Sequence, residues 1–247
     1  SLLTNVSIPS SVTSIEFAAF RECSSLIEIK IPSSITSIGG CAFYGCLSLK
    51  QILFEIPSSV NSIGENAFLK CTSLQRISIP SSITMLNYKC FHKCTSLKQV
   101  SIPSSVNLIG LNVFSECTSL AHISIPSSVT SIGGCAFIDC SSLEEVIIPS
   151  SVTSIGDESF SKCSSLKKIK IPSSVYFIGG QAFLGCLVMK EVIFEEPSCL
   201  TKIGNNAFSG CISLEKMSLP MTVNSIGGYS FYFCKSLKQI SLPSSII

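Results

Sequence analysis

Fourteen cysteines and two histidines are the side chains of this 247-residue sequence with the most chemistry to offer. Thiolates and imidazoles bind zinc, and a thiol beside an imidazole makes a nucleophile. Their spacing speaks against both uses. Ten cysteines recur at a fixed interval, from Cys23 and Cys46 through to Cys234, each three residues after a phenylalanine. There is no paired C-x-x-C and no histidine at ligand spacing, so neither a metal nor a cofactor is expected. Side chains repeated along a stack point the same way, which is poor geometry for bridging. The ten therefore read as buried structural thiols, free cysteine being among the most buried residue types. Cys41, Cys90, Cys135 and Cys199 fall outside the pattern and have no assigned role. His92 and His122 have no recurring Ser, Cys or Asp partner; they read as solvated, and no catalytic residue is expected. Glycine pairs such as Gly133-Gly134 belong to no phosphate-binding loop. Asn5-Val6-Ser7 is the one glycosylation sequon, a weak signal in a strand.

The interval comes from a repeat that fills the chain. All 11 prolines lie 23 or 25 residues apart, from Pro9 to Pro243. Ten of the 15 phenylalanines keep the same step. One unit reads L-x-x-I-x-I-P-S-S-V-T-x-I-G-x-x-A-F-x-x-C-x-S, as in Leu120 to Ser142. About ten units follow one another without a linker or a change of composition, so residues 1–247 read as a single solenoid. The 46% hydrophobic content and mean hydropathy of +0.52 exclude a disordered chain. The longest apolar run is four residues, such as Phe17 to Phe20, so no helical membrane span is expected. A net charge of +2 gives no reason to expect nucleic acid or an anionic membrane as partner.

Within a unit, Leu26-Ile27-Glu28-Ile29-Lys30-Ile31 alternates isoleucine with charge, the mark of a half-buried strand that proline then ends. A second short strand follows, as at Val129 to Ile132. Eight of ten units then carry a glycine, read as a turn residue, which Asn87 replaces by tolerating left-handed geometry and Glu16 replaces at a distorted first turn. Ala, Phe and Cys are spaced to fit one helical turn. The expected fold is a leucine-rich-repeat superhelix, with two parallel β-strands and one short 3₁₀ or α turn per 23-residue coil. Two units gain residues at one point, Glu55-Ile56 and Glu195-Glu196, and should bulge after the first strand.

The run Ile-Pro-Ser-Ser-Val-Thr-x-Ile-Gly followed by Ala-Phe-x-x-Cys-x-Ser-Leu resembles the BspA-like class of leucine-rich repeats over essentially the whole chain. That family is known from bacterial surface antigens and is expanded in some parasitic protists. The resemblance implies a non-enzymatic, cell-surface module for recognition of, or adhesion to, host or neighbouring-cell proteins through its concave sheet. The alternative is a cytoplasmic scaffold for a cognate protein, which reduced cysteines would suit.

The outward positions of the first strands carry ten basic and five acidic residues, a mild positive bias. One column alternates in sign, Glu145, Lys168, Glu191 and Lys216, and in-register stacking would make it a charge ladder. Beside it, Ile147 and Ile193 occupy outward positions where most coils have serine, with Lys170 between them. Exposed apolar residues rimmed by charge characterise an interaction patch, so Glu145, Ile147, Lys168, Lys170, Glu191 and Ile193 are the candidate protein-binding residues. The sequence opens in one strand and stops within another repeat, which reads as an uncapped segment of a longer chain with a tendency to associate end to end.

Overall fold

The computed structural model describes residues 2–244 and 246. From Leu26 to Leu214 each coil opens on a leucine with no solvent exposure, Met189 standing in once, while Leu237 is only partly buried. The residues that follow alternate outward and inward, as in Glu28-Ile29-Lys30-Ile31, because β-branched side chains at every second position suit a pleat buried on one side. These strands are β2 (Glu28–Ile31), β4 (Gln51–Phe54), β6 (Arg76–Ser78), β8 (Gln99–Ser101) and β10 (His122–Ser124). They continue as β12 (Glu145–Ile147), β14 (Lys168–Ile171), β16 (Glu191–Phe194), β18 (Lys216–Ser218) and β20 (Gln239–Ser241). They line the front face of the stack, the one expected to be concave.

After each proline a tight turn leads to a two-residue strand on the adjoining side. These are β1 (Ser14–Ile15), β3 (Ser37–Ile38), β5 (Ser62–Ile63), β7 (Met85–Leu86) and β9 (Leu108–Ile109). The rest are β11 (Ser131–Ile132), β13 (Ser154–Ile155), β15 (Phe177–Ile178), β17 (Lys202–Ile203) and β19 (Ser225–Ile226). All pairing is parallel and in register from coil to coil, for example Ile132 opposite Ile109 and Ile155. The expected solenoid of about ten coils with two strands in each is therefore present. On the front face the ladder is interrupted, pairing β2-β4-β6-β8, then β10-β12, β14-β16 and β18-β20.

The expected helical turn does not form. Among the described residues the Gly-x-x-Ala-Phe-x-x-Cys arc is a run of tight turns. In one coil Ala136 N–H donates to the Gly133 carbonyl and Cys140 N–H to Phe137, while Cys135, Phe137 and Asp139 donate across to Asp157, Ser159 and Ser161 of the next coil. A left-handed residue recurs every fourth position, at Cys135 (φ 54°) and Asp139 (φ 57°) here and twice in each other coil. A helix needs consecutive right-handed residues, so these interruptions forbid it. They turn every second N–H out of the coil to bond its neighbour, and the arc becomes a third ladder.

The glycine after the second strand has a different purpose from the one the sequence suggested. Its φ is not positive. A Cβ on Gly133 would stand 2.7 Å from the Gly110 carbonyl carbon, so glycine is needed because adjacent backbones touch. Glu16 occupies the same column one coil before Gly39, where a Cβ on Gly39 would stand 2.6 Å from the Glu16 carbonyl carbon. Asn87 is not left-handed either; its Nδ2 donates to the Ile63 carbonyl at 2.6 Å. That bond replaces the one made by backbone N–H groups elsewhere, such as Gly110 to Leu86. The second sheet breaks at this coil, between β5 and β7.

Inside, nine successive phenylalanine pairs from Phe20 to Phe231 stack with centroids 5.2–5.9 Å apart and planes within 14°. Near-parallel rings at that separation are offset rather than eclipsed, the favoured arrangement. Leucine, isoleucine and cysteine columns complete one continuous core. Hydroxyls help the stacking: Ser128 Oγ donates to the Val106 carbonyl and Ser151 Oγ to Val129, each at 2.5 Å. Among the described residues no helix is long and apolar enough to cross a membrane.

Candidate functional site

The six candidate residues stand on three successive front-face strands, β12, β14 and β16, all at outward positions. Lys168 lies directly opposite Glu191, and Lys170 opposite Ile193. Glu145 and Ile147 face His122 and Ser124 across the ladder instead, because β12 bonds to β10. The two isoleucines are genuinely solvent-facing, Ile147 at 71% and Ile193 at 38% exposure.

The expected charge ladder does not assemble. Among the described residues no ion pair joins Glu145, Lys168, Glu191 and Lys216. The pairs form to either side of that column: Lys167 Nζ to Glu144 at 2.6 Å, and Lys170 Nζ to Glu195, in the insertion, at 2.6 Å. Parallel side chains pointing into water gain under about 1 kcal/mol from pairing, so small differences in reach decide the partner.

Both inserted units build the same clamp, which the sequence did not reveal. Glu55 Oε1 takes Lys30 Nζ at 2.7 Å and its Oε2 accepts the Ser33 N–H at 3.0 Å. Glu195 treats Lys170 and Ser173 in the same way, the latter at 3.4 Å. The lysine holds each carboxyl below the usual carboxylate range, the serine N–H adding to the effect. The expected bulge is thus tied back to the preceding coil. At the first insertion it lifts Ile56 into solvent at 95% exposure. The signal available in sequence was an inserted glutamate one coil after an outward lysine, at both sites.

The ladder cysteines sit inside the coils as expected. Each thiol from Cys46 to Cys234 donates to the phenylalanine carbonyl of the preceding coil, as Cys140 Sγ does to Phe114 at 3.1 Å. Burial pushes the Cys94, Cys140 and Cys186 thiols up to about 12, so the reactive thiolate is suppressed at neutral pH. The extra cysteines now have positions. Cys41 and Cys135 occupy left-handed turn sites, at φ 56° and 54°. Cys90 fills the buried column that holds Ala67 and Ala136 in other coils, and Cys199 is exposed beside the second insertion. Aromatic disulfide reagent on the native protein is expected to label Cys199 first and to leave the nine buried thiols silent until denaturant is added. Fast native labelling of several of the nine, or thiols missing after unfolding without reductant, would refute this assignment.

His122 is exposed on β10, as expected, but His92 is not solvated. Its side chain is 14% exposed, with Nδ1 3.2 Å from the Ser115 carbonyl, and burial lowers its pKa against the opposing pull of Glu116. No cluster of three or more His, Cys, Asp or Glu side chains capable of holding a metal occurs among the described residues.

Parallel coils that open on a buried leucine, with outward side chains on one strand face and stacked apolar columns within, define a leucine-rich-repeat solenoid. The BspA type leucine rich repeat region, in six copies, matches residues 1–115, 53–166, 84–198 and 154–247, and the chain belongs to that family. A leucine-rich repeat protein from Bacteroides ovatus is 30% identical over 96% of this chain and 78% of its own, with a TM-score of 0.65. A leucine rich cell surface protein from Faecalibacterium prausnitzii is 27% identical, covering 99% of this chain and 83% of its own, with a TM-score of 0.56. The pneumococcal vaccine antigen PcpA, 22% identical over 95% of this chain and 72% of its own, shares the fold with a TM-score of 0.62. No match was found among curated proteins.

Proposed function

We propose that this chain is a non-enzymatic recognition module, displayed at a cell surface, that holds a protein of a host or neighbouring cell on its front face. The observation that carries the reading is the outward pair Ile147 and Ile193, with the Lys170 stem between them and charge around them. Apolar surface placed where β6, β8, β10, β18 and β20 expose serine gains free energy only when something covers it. The similar Faecalibacterium protein is described as a cell surface protein, which supports the compartment.

The fourteen free cysteines favour a second reading, a cytoplasmic scaffold using the same face. Burial weakens that argument, because a thiol locked in the core resists oxidation in either compartment. A membrane-impermeant label on intact cells distinguishes the two. The binding site itself is tested by placing a photocrosslinker at position 147 or 193 and exposing the protein to target cells. A saturable crosslink to a surface protein is expected, competed by unlabelled protein and weakened about tenfold or more by Ile147→Asp with Ile193→Asp, since such a patch supplies a central contact. Crosslinking that neither saturates nor responds to those substitutions removes the proposal.

A further inference from the structure

The front face has a second feature, three coils long, at the first insertion. A groove of about 550 Å³ runs across β4, β6 and β8, and Leu53, Ile56 and Arg76 are among its lining residues. Its two sides differ in chemistry. At one end Arg76 lines the groove from the first position of β6, and Lys50 and Lys98 stand one residue before β4 and β8, next to the lining residues Gln51 and Gln99; all three cations are exposed. Among the described residues none of the three has an ion pair. Arg76 Nη2 reaches only the neutral Gln51 amide, at 3.5 Å, and the nearby Glu28 is occupied by Gln51 Nε2 at 2.6 Å. At the far end of β4 Leu53 is 45% exposed and Ile56, in the insertion that follows, 95%, while Ser78 and Ser101 line the groove on β6 and β8. Glu55, between them, is paired with Lys30 and accepts the Ser33 N–H, so that edge carries hydrocarbon and no net charge. The second insertion lacks this arrangement, because Glu196 stands where Ile56 does.

We propose that this groove binds an acidic, extended peptide segment whose alternate side chains are aliphatic, lying along the stack axis between the cationic and the apolar edge. Lys50 and Leu53 are three positions apart, roughly 10 Å along extended chain, which is the width of one extended chain with its side chains. An extended segment sends successive side chains to opposite sides, so carboxylates meet Lys50, Arg76 and Lys98 while aliphatic groups meet Leu53 and Ile56. Unpaired cations facing unpaired hydrocarbon across one chain's width select for that pattern, and a polyanion without apolar groups satisfies only half of it. The proposal rests on the reading of the front face as protein-binding, but it assigns a different stretch of that face.

The probe is a fluorescein-labelled octapeptide alternating Glu with Leu, followed by anisotropy with the full chain. Saturable binding is expected, weakened by salt and reduced about tenfold or more by Lys50→Glu with Arg76→Glu, and by Leu53→Ser with Ile56→Ser. All four positions are solvent-facing, and a circular-dichroism melt checks that each variant is folded. Ile147→Asp with Ile193→Asp is expected to leave peptide affinity unchanged. Absence of saturable binding overturns the proposal. So does equal binding of a Glu/Ser octapeptide or a heparin oligosaccharide that ignores Leu53 and Ile56, since the face would then read charge alone. Crosslinking from positions 147 and 193 without peptide binding sinks this inference and leaves the functional reading standing; peptide binding without that crosslinking does the reverse for the assignment of β12 to β16.

Discussion

Replacing Phe137 with alanine is expected to remove about 3–5 kcal/mol of stability and to divide unfolding into two transitions. The ring is fully buried and stacks on Phe114 at 5.5 Å and Phe160 at 5.2 Å. Its deletion leaves a cavity that cannot collapse, because the ladders on every side of the coil fix the spacing to its neighbours. Each coil contacts chiefly the coil before and the coil after, so a central defect weakens one interface and uncouples the halves. Phe20, half-buried and stacked on one side only, is the control. Phe20→Ala should cost less and leave a single transition. Urea denaturation followed by circular dichroism measures both. A single transition shifted by less than about 1 kcal/mol for Phe137→Ala would show that the stack is filler rather than support.

The phenylalanine column was legible from spacing alone, as were the leucines, the strands and the interior position of the ladder cysteines. Each is fixed by side-chain type, and a repeat displays type ten times over. The turn arc was not legible, because its defining property is a backbone dihedral. Its left-handed sites carry Ala18, Asn66, Lys89, Glu158 and Tyr229 as readily as Gly45 or Gly185. Each costs a non-glycine residue about 1–2 kcal/mol. Hydrogen bonds to both neighbouring coils offset that cost, so composition does not record it. The candidate site divides in the same way. Outward isoleucines could be read by parity along the strand. The partners of Lys30 and Lys170 could not, because those carboxylates arrive from insertions whose path the repeat does not specify.

The structure reverses one expectation about glycine, and the reversal can be measured. Gly156→Ala is expected to cost about 3 kcal/mol or more, and Gly185→Ala only about 1 kcal/mol. A reading based on turn conformation ranks them the other way, since Gly185 has φ 71° and Gly156 is not left-handed. Space decides the order. A Cβ on Gly185 would meet nothing nearer than Lys162 Cγ at 3.7 Å, the movable part of an exposed side chain. A Cβ on Gly156 would stand 2.6 Å from Gly134 N and 2.8 Å from the Gly133 carbonyl carbon, both backbone atoms of the preceding coil. Relief requires the coils to part, which stretches the Gly156 N–H bond to Ile132 and the Thr153 N–H bond to Thr130, both 3.1 Å. The molecule already contains a tolerated case of this parting. At Asn87 a side chain occupies the glycine column, the sheet is broken between β5 and β7, and the asparagine amide bridges to Ile63 in place of the backbone. Alanine has no such amide, so the carbonyl facing position 156 would lose its partner, a further cost of about 1–3 kcal/mol. Gly156→Asn is accordingly expected to be milder than Gly156→Ala despite its larger side chain. Equilibrium unfolding of the three variants settles the order, and a Gly185→Ala loss exceeding that of Gly156→Ala would mean that dihedral strain, not backbone contact, selects glycine in this repeat.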